Sequence, residues 1–419
     1  MTFETTHPHV TSHCRHCNAA LSLVFADLGA TPVSNDYLPA ARRFGAEPYY
    51  PLRAFVCQSC RLVQLEDFRR ADELFREDYA YFSSVSTSWL AHAKRYAGDM
   101  TARYGLTASS MVVEVASNDG YLLQYFKDAG IGVLGVEPSK SVADYAIEKV
   151  GIPTRIEFFG RETARRLVAE GFAADLTVAN NVLAHVPDIN DFVGGFAEIL
   201  KPDGVSTFEF PHLLNMIREN QFDTIYHEHF SYLSLIAAEH FMERNGLRMF
   251  DVETLPTHGG SLRLHTCRIA AKHHRSERVD AVLAQERAAG LDADDVYRAF
   301  DAQVRETKRA LLELLIGIKR QGKTIVGYGA PAKGNTLLNY CGIGADFLEF
   351  TVDRAASKQG MYLPGTRLAI KAPEAIDAFK PDYILILPWN IKDEVMSQMH
   401  HAREWGAKFI VPIPKAVII

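Results

Sequence analysis

No apolar run in the sequence approaches the roughly 20 residues that a membrane span needs, so no membrane-spanning segment is expected. The opening residues, MTFETTHPHVTSHC, lack the basic and apolar blocks of a signal peptide, and a cytoplasmic location is the expectation. Basic charge is short as well. The 45 Lys and Arg against 51 Asp and Glu leave a net charge of −6, which argues against a nucleic-acid surface. Gly/Ser linkers, low-complexity runs and short repeats are missing. Cysteine is too scarce, six in 419 residues, for a disulfide scaffold. The length nevertheless exceeds one ordinary core, so two or three domains are expected.

What cysteine there is has a pattern. Cys14 and Cys17 form one CxxC pair, Cys57 and Cys60 another. Each pair is a tight knuckle aiming two thiolates at one point, and two knuckles complete a tetrahedral, structural zinc site. A redox CxxC is the competing reading, but the thioredoxin-like βαβ context it requires is absent. Between the knuckles an inserted lobe, Leu28–Leu52, begins with a turn-rich segment, Leu28–Leu38. A short strand at Leu62–Leu65 and a charged helical stretch, Asp67–Glu77, follow. The loop DYAYFSS then carries Tyr79 and Tyr81, either as lids on a core or as substrate contacts.

The stretch Met111–Ser139 reads as strand, tight loop, helix, and a second strand ending on Glu137. That is the plan of a nucleotide-binding βαβ unit. Its loop, ASNDG, has one glycine where a dinucleotide fingerprint has three, so close approach to a pyrophosphate is not provided for. Glu137 would accept two ribose hydroxyls, and Glu114 or Asp119 would face an ammonium group. S-adenosylmethionine, with an adenosine and a cation but no phosphate, fits; an ordinary α/β crossover is the alternative. Further strands are expected at Thr154–Phe159, at Ala174–Asn181 and at Val205–Phe210, which puts Asn180 and His185 near the mouth of such a sheet.

Tyr226–Tyr232, YHEHFSY, is the richest passage chemically. His-Glu-His is not the i, i+4 spacing of a zinc helix. An extended conformation would group Tyr226 with Glu228 and His227 with His229. Such a set suits proton transfer, with a histidine base and a tyrosine at a developing enolate oxygen; a polar loop around a core histidine is the plainer reading. His258 and two glycines open a strand that would present backbone N–H groups or Arg263 to an anion. One or two long helices are expected within Arg275–Arg320, followed by a second α/β unit whose loop, GYGAPAKGN, has a G-x-G-x-x-A pattern compatible with a dinucleotide and would bind a diphosphate through its amides, Lys333 and the helix N-terminus after it.

Taken in order, the paired CxxC knuckles, DYxYFSS, VVEVASNDGYLL with GVEPS, NNVLAHVPD, YHEHFSY, HGGSLR and GYGAPAKGNTLLN resemble one family over nearly the whole chain. It is the three-domain, S-adenosylmethionine-dependent sugar C-methyltransferases, which act on nucleotide-linked 4-keto-deoxyhexoses. The resemblance implies an α/β protein: a zinc-binding domain (1–72), a class I, Rossmann-like methyltransferase domain (73–275), and a C-terminal Rossmann-like domain (276–419) that holds a dTDP- or GDP-sugar rather than NAD. It implies cofactor contacts from Glu114, Ser117, Asn118, Asp119, Gly120, Glu137, Pro138 and Asn180. It implies an acid/base cluster of Tyr226, Glu228 and His229, with His185 across the sugar and Tyr81 or Tyr79 closing over it. Substrate contacts would come from His258, Arg263, Gly329, Lys333 and Asn335. Ala80 and Ala184 are substituted positions within matching motifs.

The chemistry so implied starts from a C4 ketone that acidifies the proton at C3. His229 would remove it, Tyr226 and His185 would stabilise the enolate oxygen, and Glu228 would orient an imidazole. Methylation at oxygen or nitrogen, an NAD-dependent oxidoreductase using the C-terminal loop, and a non-catalytic zinc-bearing module are the alternatives. Monomer and homo-oligomer are equally compatible with the residues.

Overall fold

A computed structural model of the chain describes residues 13–68 and 82–419. Three sheets organise them. Strands β1 (Leu23–Thr31), β2 (Tyr50–Val56) and β3 (Val63–Leu65) form an antiparallel meander above the cysteine knuckles. Its fourth strand comes from far down the chain, at Ser231–Tyr232. The segment expected to be all turn, Leu28–Leu38, gives its first four residues to β1. Alternate burial of Leu23, Phe25, Leu28 and Thr31, with a register shift at Asp27/Ala30, marks the half-covered sheet that claims them.

The central sheet has seven strands. Its parallel part consists of β4 (Met111–Val115), β5 (Gly132–Val136), β6 (Thr154–Arg155), β7 (Ala174–Asn180) and β8 (Leu200–Pro211). Strand β9 is the Ser231–Tyr232 pair already met, and β10 (Leu247–Leu255) and β11 (Ser261–Arg268) extend the edge beyond β8. The spatial order is β10-β11-β8-β7-β4-β5-β6, with β11 antiparallel to both its neighbours. Strand order therefore reverses between β4 and β7, and the crevice at their carboxyl ends is where such sheets bind ligands. The expected third strand at Thr154–Phe159 pairs over only two residues, because β6 is the sheet's edge and the chain then turns Phe158 into solvent.

Helix ends in this region are locally encoded. Ser86 accepts the Trp89 amide to start Thr87–Tyr104, and Gly105, in left-handed conformation (φ 61°), ends it. Asp188 caps Ile189–Ile199 through the Asn190 and Asp191 amides. Among the described residues no helix is long and apolar enough to cross a membrane.

A 26-residue helix, Asp295–Arg320, runs alongside the zinc lobe. Its buried stripe, Tyr297, Phe300, Val304, Thr307, Leu311, Leu315 and Ile318, keeps the three- and four-residue spacing of one helical face. Phe300 stacks on Phe25 of β1 at 4.3 Å. Burying such a ring contributes about 1.5–3 kcal/mol, with about 0.5–1.5 kcal/mol more from the stacked pair. The third sheet, β12 (Ile325–Tyr328), β13 (Thr351–Val352), β14 (Ile370–Lys371), β15 (Tyr383–Ile386), β16 (Lys408–Val411) and β17 (Val417–Ile418), is ordered β14-β13-β12-β15-β16-β17 and parallel except for β17. One continuous apolar core runs from the cysteine knuckles through the central sheet to this one.

Candidate active site

A cleft of about 1490 Å³ opens at the switch point between β4 and β7, with walls from all three sheets' surroundings. Single-ligand pockets span about 300–1,000 Å³, so the cleft has room for a cofactor and a second ligand. Its two ends differ in chemistry.

One end is built by the loop after β4. Ala116, Asn118 and Gly120 all take left-handed backbone conformations there, which folds the loop back beneath β5. Glu137, at the tip of β5, lines the cleft and accepts the Asn118 amide at 3.0 Å and the Ser139 amide at 2.8 Å. Each oxygen retains a lone pair, and burial raises the carboxyl above its ordinary value. Hydroxyl donors arriving from a ribose would offset that desolvation. Asn118, Pro138 and Asn180 line the same end, as do Trp89, Tyr121, Ser139 and Phe158, which sequence reasoning left unassigned.

The other expected cofactor contacts lie behind this wall. Glu114 is buried under the loop with Oε2 unpartnered, and burial pushes its carboxyl well above the usual range. Glu114 does not line the cleft, so it does not face an ammonium group there. Ser117 packs its Oγ against Gly135, where a Cβ would come within 2.4 Å. Asp119 accepts the Ser84 amide at 3.0 Å, while its Oδ1 is buried and unpartnered. Gly120 serves the turn (φ 78°) and leaves no room beside Ile152. These four shape the loop rather than line the cleft.

At the other end the passage after Phe222 is a turn, not an extended strand. The His229 amide donates to Tyr226 O at 2.8 Å, so residues three apart meet. Tyr226 Oη lies 2.6 Å from His229 Nε2, and His229 Nδ1 lies 2.9 Å from Thr224 O. A carbonyl only accepts, so Nδ1 carries the proton and Nε2 is the lone-pair side. His227 faces the opposite way, to Pro51 O at 3.1 Å, which breaks the expected pairing of His227 with His229.

His185 repeats the arrangement. Its Nδ1 donates to Glu228 O at 2.7 Å, and its ring stands edge-on to His229 with centroids 4.6 Å apart. Burial holds His185 down to about 4 and His229 well below the ordinary histidine value, so both are neutral at pH 7. His185 therefore offers Nε2 as an acceptor and not as a donor to an enolate oxygen, against expectation. The Glu228 carboxylate orients neither imidazole; backbone carbonyls do. Its Oε2 instead accepts from Asn35 at 2.5 Å, and burial pushes it up to about 7.

The expected substrate contacts divide. His258 (φ 54°) and Lys333 line the cleft. Arg263 does not: it is buried in the sheet, donating to Glu209 at 3.0 Å and Glu253 at 3.2 Å, so no anion reaches it. Gly329 packs against Pro388 and Asn335 donates to Ser34 O, both away from the cleft. Lys358 lines it and was not foreseen. Tyr79 and Tyr81 lie outside the described residues.

The four knuckle cysteines converge, with all four sulfurs within 4.8 Å of one another and the closest pairs at 3.4 and 3.6 Å. Tetrahedral zinc with Zn–S near 2.3 Å places its sulfurs about 3.8 Å apart. The donor set fits zinc, and Gln64 Nε2, 3.2 Å from Cys14 Sγ, supplies an outer hydrogen bond.

Three family models match in succession: a zinc binding domain over residues 14–75, a methyltransferase domain over 89–252 and a C-methyltransferase C-terminal domain over 256–414. C-methyltransferase NovU of Streptomyces niveus is 36% identical over 406 residues, covering 97% of this chain and 96% of its own length. The chain belongs to the C-methyltransferase family. It is an S-adenosylmethionine-dependent C-methyltransferase, and it carries a zinc-binding lobe. Among solved structures, magnesium protoporphyrin IX methyltransferase from Synechocystis PCC 6803 with bound SAH matches 43% of this chain and 83% of its own at 14% identity and TM-score 0.35. The glycopeptide N-methyltransferase MtfA matches 42% and 96% at 14% identity and TM-score 0.33.

If Glu137 accepts the ribose hydroxyls of the methyl donor, as its place in the sequence leads one to expect, Glu137→Ala removes that acceptor. Charge-assisted hydrogen bonds of this kind predict a loss of S-adenosylmethionine affinity of about 10- to 100-fold. Calorimetric titration of wild type and variant measures it, and equal affinities would reassign the ribose site.

Proposed function

We propose that the enzyme methylates C3 of a nucleotide-linked 4-keto-deoxysugar, with His229 as the base that removes the C3 proton. The observation that carries this reading is the neutral His229 imidazole, held by Thr224 so that Nε2 turns toward Tyr226 and the cleft. A ketone at C4 lowers the acidity barrier at C3 to what an imidazole manages. As the sugar enters, the Tyr226 hydroxyl passes from Nε2 to the ketone oxygen and stabilises it as the enolate forms. The vacated Nε2 then takes the carbon-bound proton. His185 accepts a sugar hydroxyl through Nε2, and Glu228 offers its cleft-facing carboxylate to another. S-adenosylmethionine, when bound, supplies an electrophilic methyl group to the carbon so activated.

The nucleotide, dTDP or GDP, runs toward the C-terminal sheet. Lys333 and Lys358 line that part of the cleft, and Lys333 sits in the first turn of helix Ala332–Cys341, where unpaired amides favour a diphosphate. An NAD site is disfavoured because Asp353, the acidic residue such a site would turn to ribose, does not line the cleft. A cytoplasmic setting suits the reduced thiolates of the zinc lobe.

Exchange of the substrate's own hydrogen tests the reaction type. Incubated in D2O with S-adenosylhomocysteine in place of the methyl donor, a dTDP-linked 4-keto-6-deoxyhexose is expected to gain deuterium at C3 by mass spectrometry and NMR. An oxygen or nitrogen methyltransferase leaves that hydrogen in place, so product formation without any exchange points to that chemistry.

A further inference from the structure

The segment Pro32–Leu38 of the zinc lobe reaches across the molecule and touches both other parts of the cleft. Asn35 lines the cleft, and its Nδ2 donates to Glu228 Oε2 at 2.5 Å across 193 residues of sequence. Two residues on, the Tyr37 hydroxyl donates to Ala330 O at 2.6 Å, in the glycine loop after β12, and lies 3.3 Å from Asn35 Oδ1. Lys358 donates to the same Ala330 carbonyl at 2.9 Å, with its ammonium 5.0 Å from the Tyr37 ring centroid. Ser34 completes the tie through Thr336 at 3.1 Å and the Asn335 amide at 3.4 Å. Leu38 bridges to Tyr362.

We infer that Asn35 is a positioning residue for methyl transfer: donated from the zinc lobe, its amide holds the Glu228 carboxylate in the orientation and the ionised form that the sugar meets. The inference rests on the placement of Glu228 in the sugar site proposed above. Its physical basis is an accounting of one buried carboxylate. Burial opposes its charge, the Asp36 carboxylate on the same lobe segment opposes it further, and the Asn35 amide favours it. The neighbouring imidazoles of His185 and His229 are neutral and contribute no compensating charge. Lys333 and Lys358 face the same cleft, but neither is a hydrogen-bond partner of Glu228. Asn35 is thus the donor that tips Glu228, poised near neutrality at about 7, toward the anion. Tyr37 anchors the amide by fixing its segment to the glycine loop.

Carboxyl infrared difference spectra across a pH titration read this directly, the Glu228 band being the one that Glu228→Gln removes. In Asn35→Ala its titration moves to higher pH. In Asn35→Asp, which keeps the shape of the side chain but sets a like charge against Glu228, it moves further. Turnover on a dTDP-linked 4-keto-6-deoxyhexose at pH 7 falls about 10- to 100-fold in Asn35→Ala, recovers as the pH is raised, and does so with S-adenosylmethionine affinity unchanged by calorimetry. A merely structural contact would lower activity equally at every pH. The inference is overturned if Asn35→Asp leaves the Glu228 titration where wild type has it, or if turnover falls without a change in pH profile. If the titration moves while no form of the enzyme, wild type included, methylates the sugar nucleotide, the Asn35–Glu228 contact stands and the substrate reading falls.

Discussion

Replacing His229 by alanine is expected to lower methyl transfer by about 10²–10⁴-fold, the range a positioned general base supplies, while S-adenosylmethionine still binds as in wild type. The separation follows from geometry. His229 belongs to the Tyr226 turn at the sugar end of the cleft, whereas the cofactor end is built from the loop after β4 and Glu137. Loss of C3 deuterium exchange in the same variant would tie the defect to proton removal rather than to methyl transfer. Because burial holds the His229 pKa well below its ordinary value, its basic, neutral form persists as the pH falls through 6.5. The acid limb of kcat/KM should therefore not sit at the ordinary histidine value. Burial pushes the Glu228 carboxyl up to about 7, so a limb near pH 7 that stays fixed as temperature changes, as carboxyl ionisation does, and that Glu228→Gln removes is expected. A limb at 6.5 that moves with temperature in the manner of an imidazole, together with full activity in His229→Ala, would remove His229 from the mechanism.

Stripping zinc is expected to abolish activity by a different route. Structural zinc binding is worth about 10–16 kcal/mol in small sites, against a total stability of about 5–15 kcal/mol for a typical domain. The metal joins the two knuckles at the base of the lobe, where their four sulfurs converge beside the short strand β3. Chelation, or Cys57→Ser, should melt that lobe and carry away Asn35 and Tyr50, which line the cleft. The Glu137 end of the cleft draws no residue from the zinc lobe, so S-adenosylmethionine affinity should outlast turnover if the methyl donor binds there. Elemental analysis should find one zinc per chain, and its release on titration with chelator should parallel the loss of turnover. Full activity in a metal-free preparation would refute the structural role.

The β4–loop–β5 unit was legible in the sequence because it is local. A strand, a loop that needs left-handed residues and a second strand with an acidic tip fall within thirty consecutive residues, and β5 has the expected bounds. The cysteine knuckles were legible for the same reason. What failed depended on distant partners. Arg263 reads as an exposed cation after a glycine turn until Glu209 and Glu253, on neighbouring strands, claim its guanidinium. The YHEHF passage alternates like a strand, but the Thr224 and Pro51 carbonyls pull His229 and His227 to opposite sides and make it a turn. Asn335 looks like a ligand in a glycine-rich loop and is spent on Ser34, roughly three hundred residues earlier. Glu114 sits in a nucleotide-binding strand, yet no local signal says that it lies under the loop instead of on it.

Strand β9 has a consequence for how such enzymes diversify. It follows the Tyr226–His229 turn, and it pairs with β3 through Gln64↔Ser231 and Val63↔Tyr232, beginning two residues beyond His229. The metal lobe and the strand that follows His229 are therefore woven into one sheet, although more than 150 positions separate them along the chain. A lineage cannot acquire a new zinc lobe by simple exchange at its boundary, because the incoming β3 would meet a foreign β9. Recombination breakpoints in this family should be tolerated where they keep those two strands from one parent, so the first sheet and the turn before β9 are inherited as a unit.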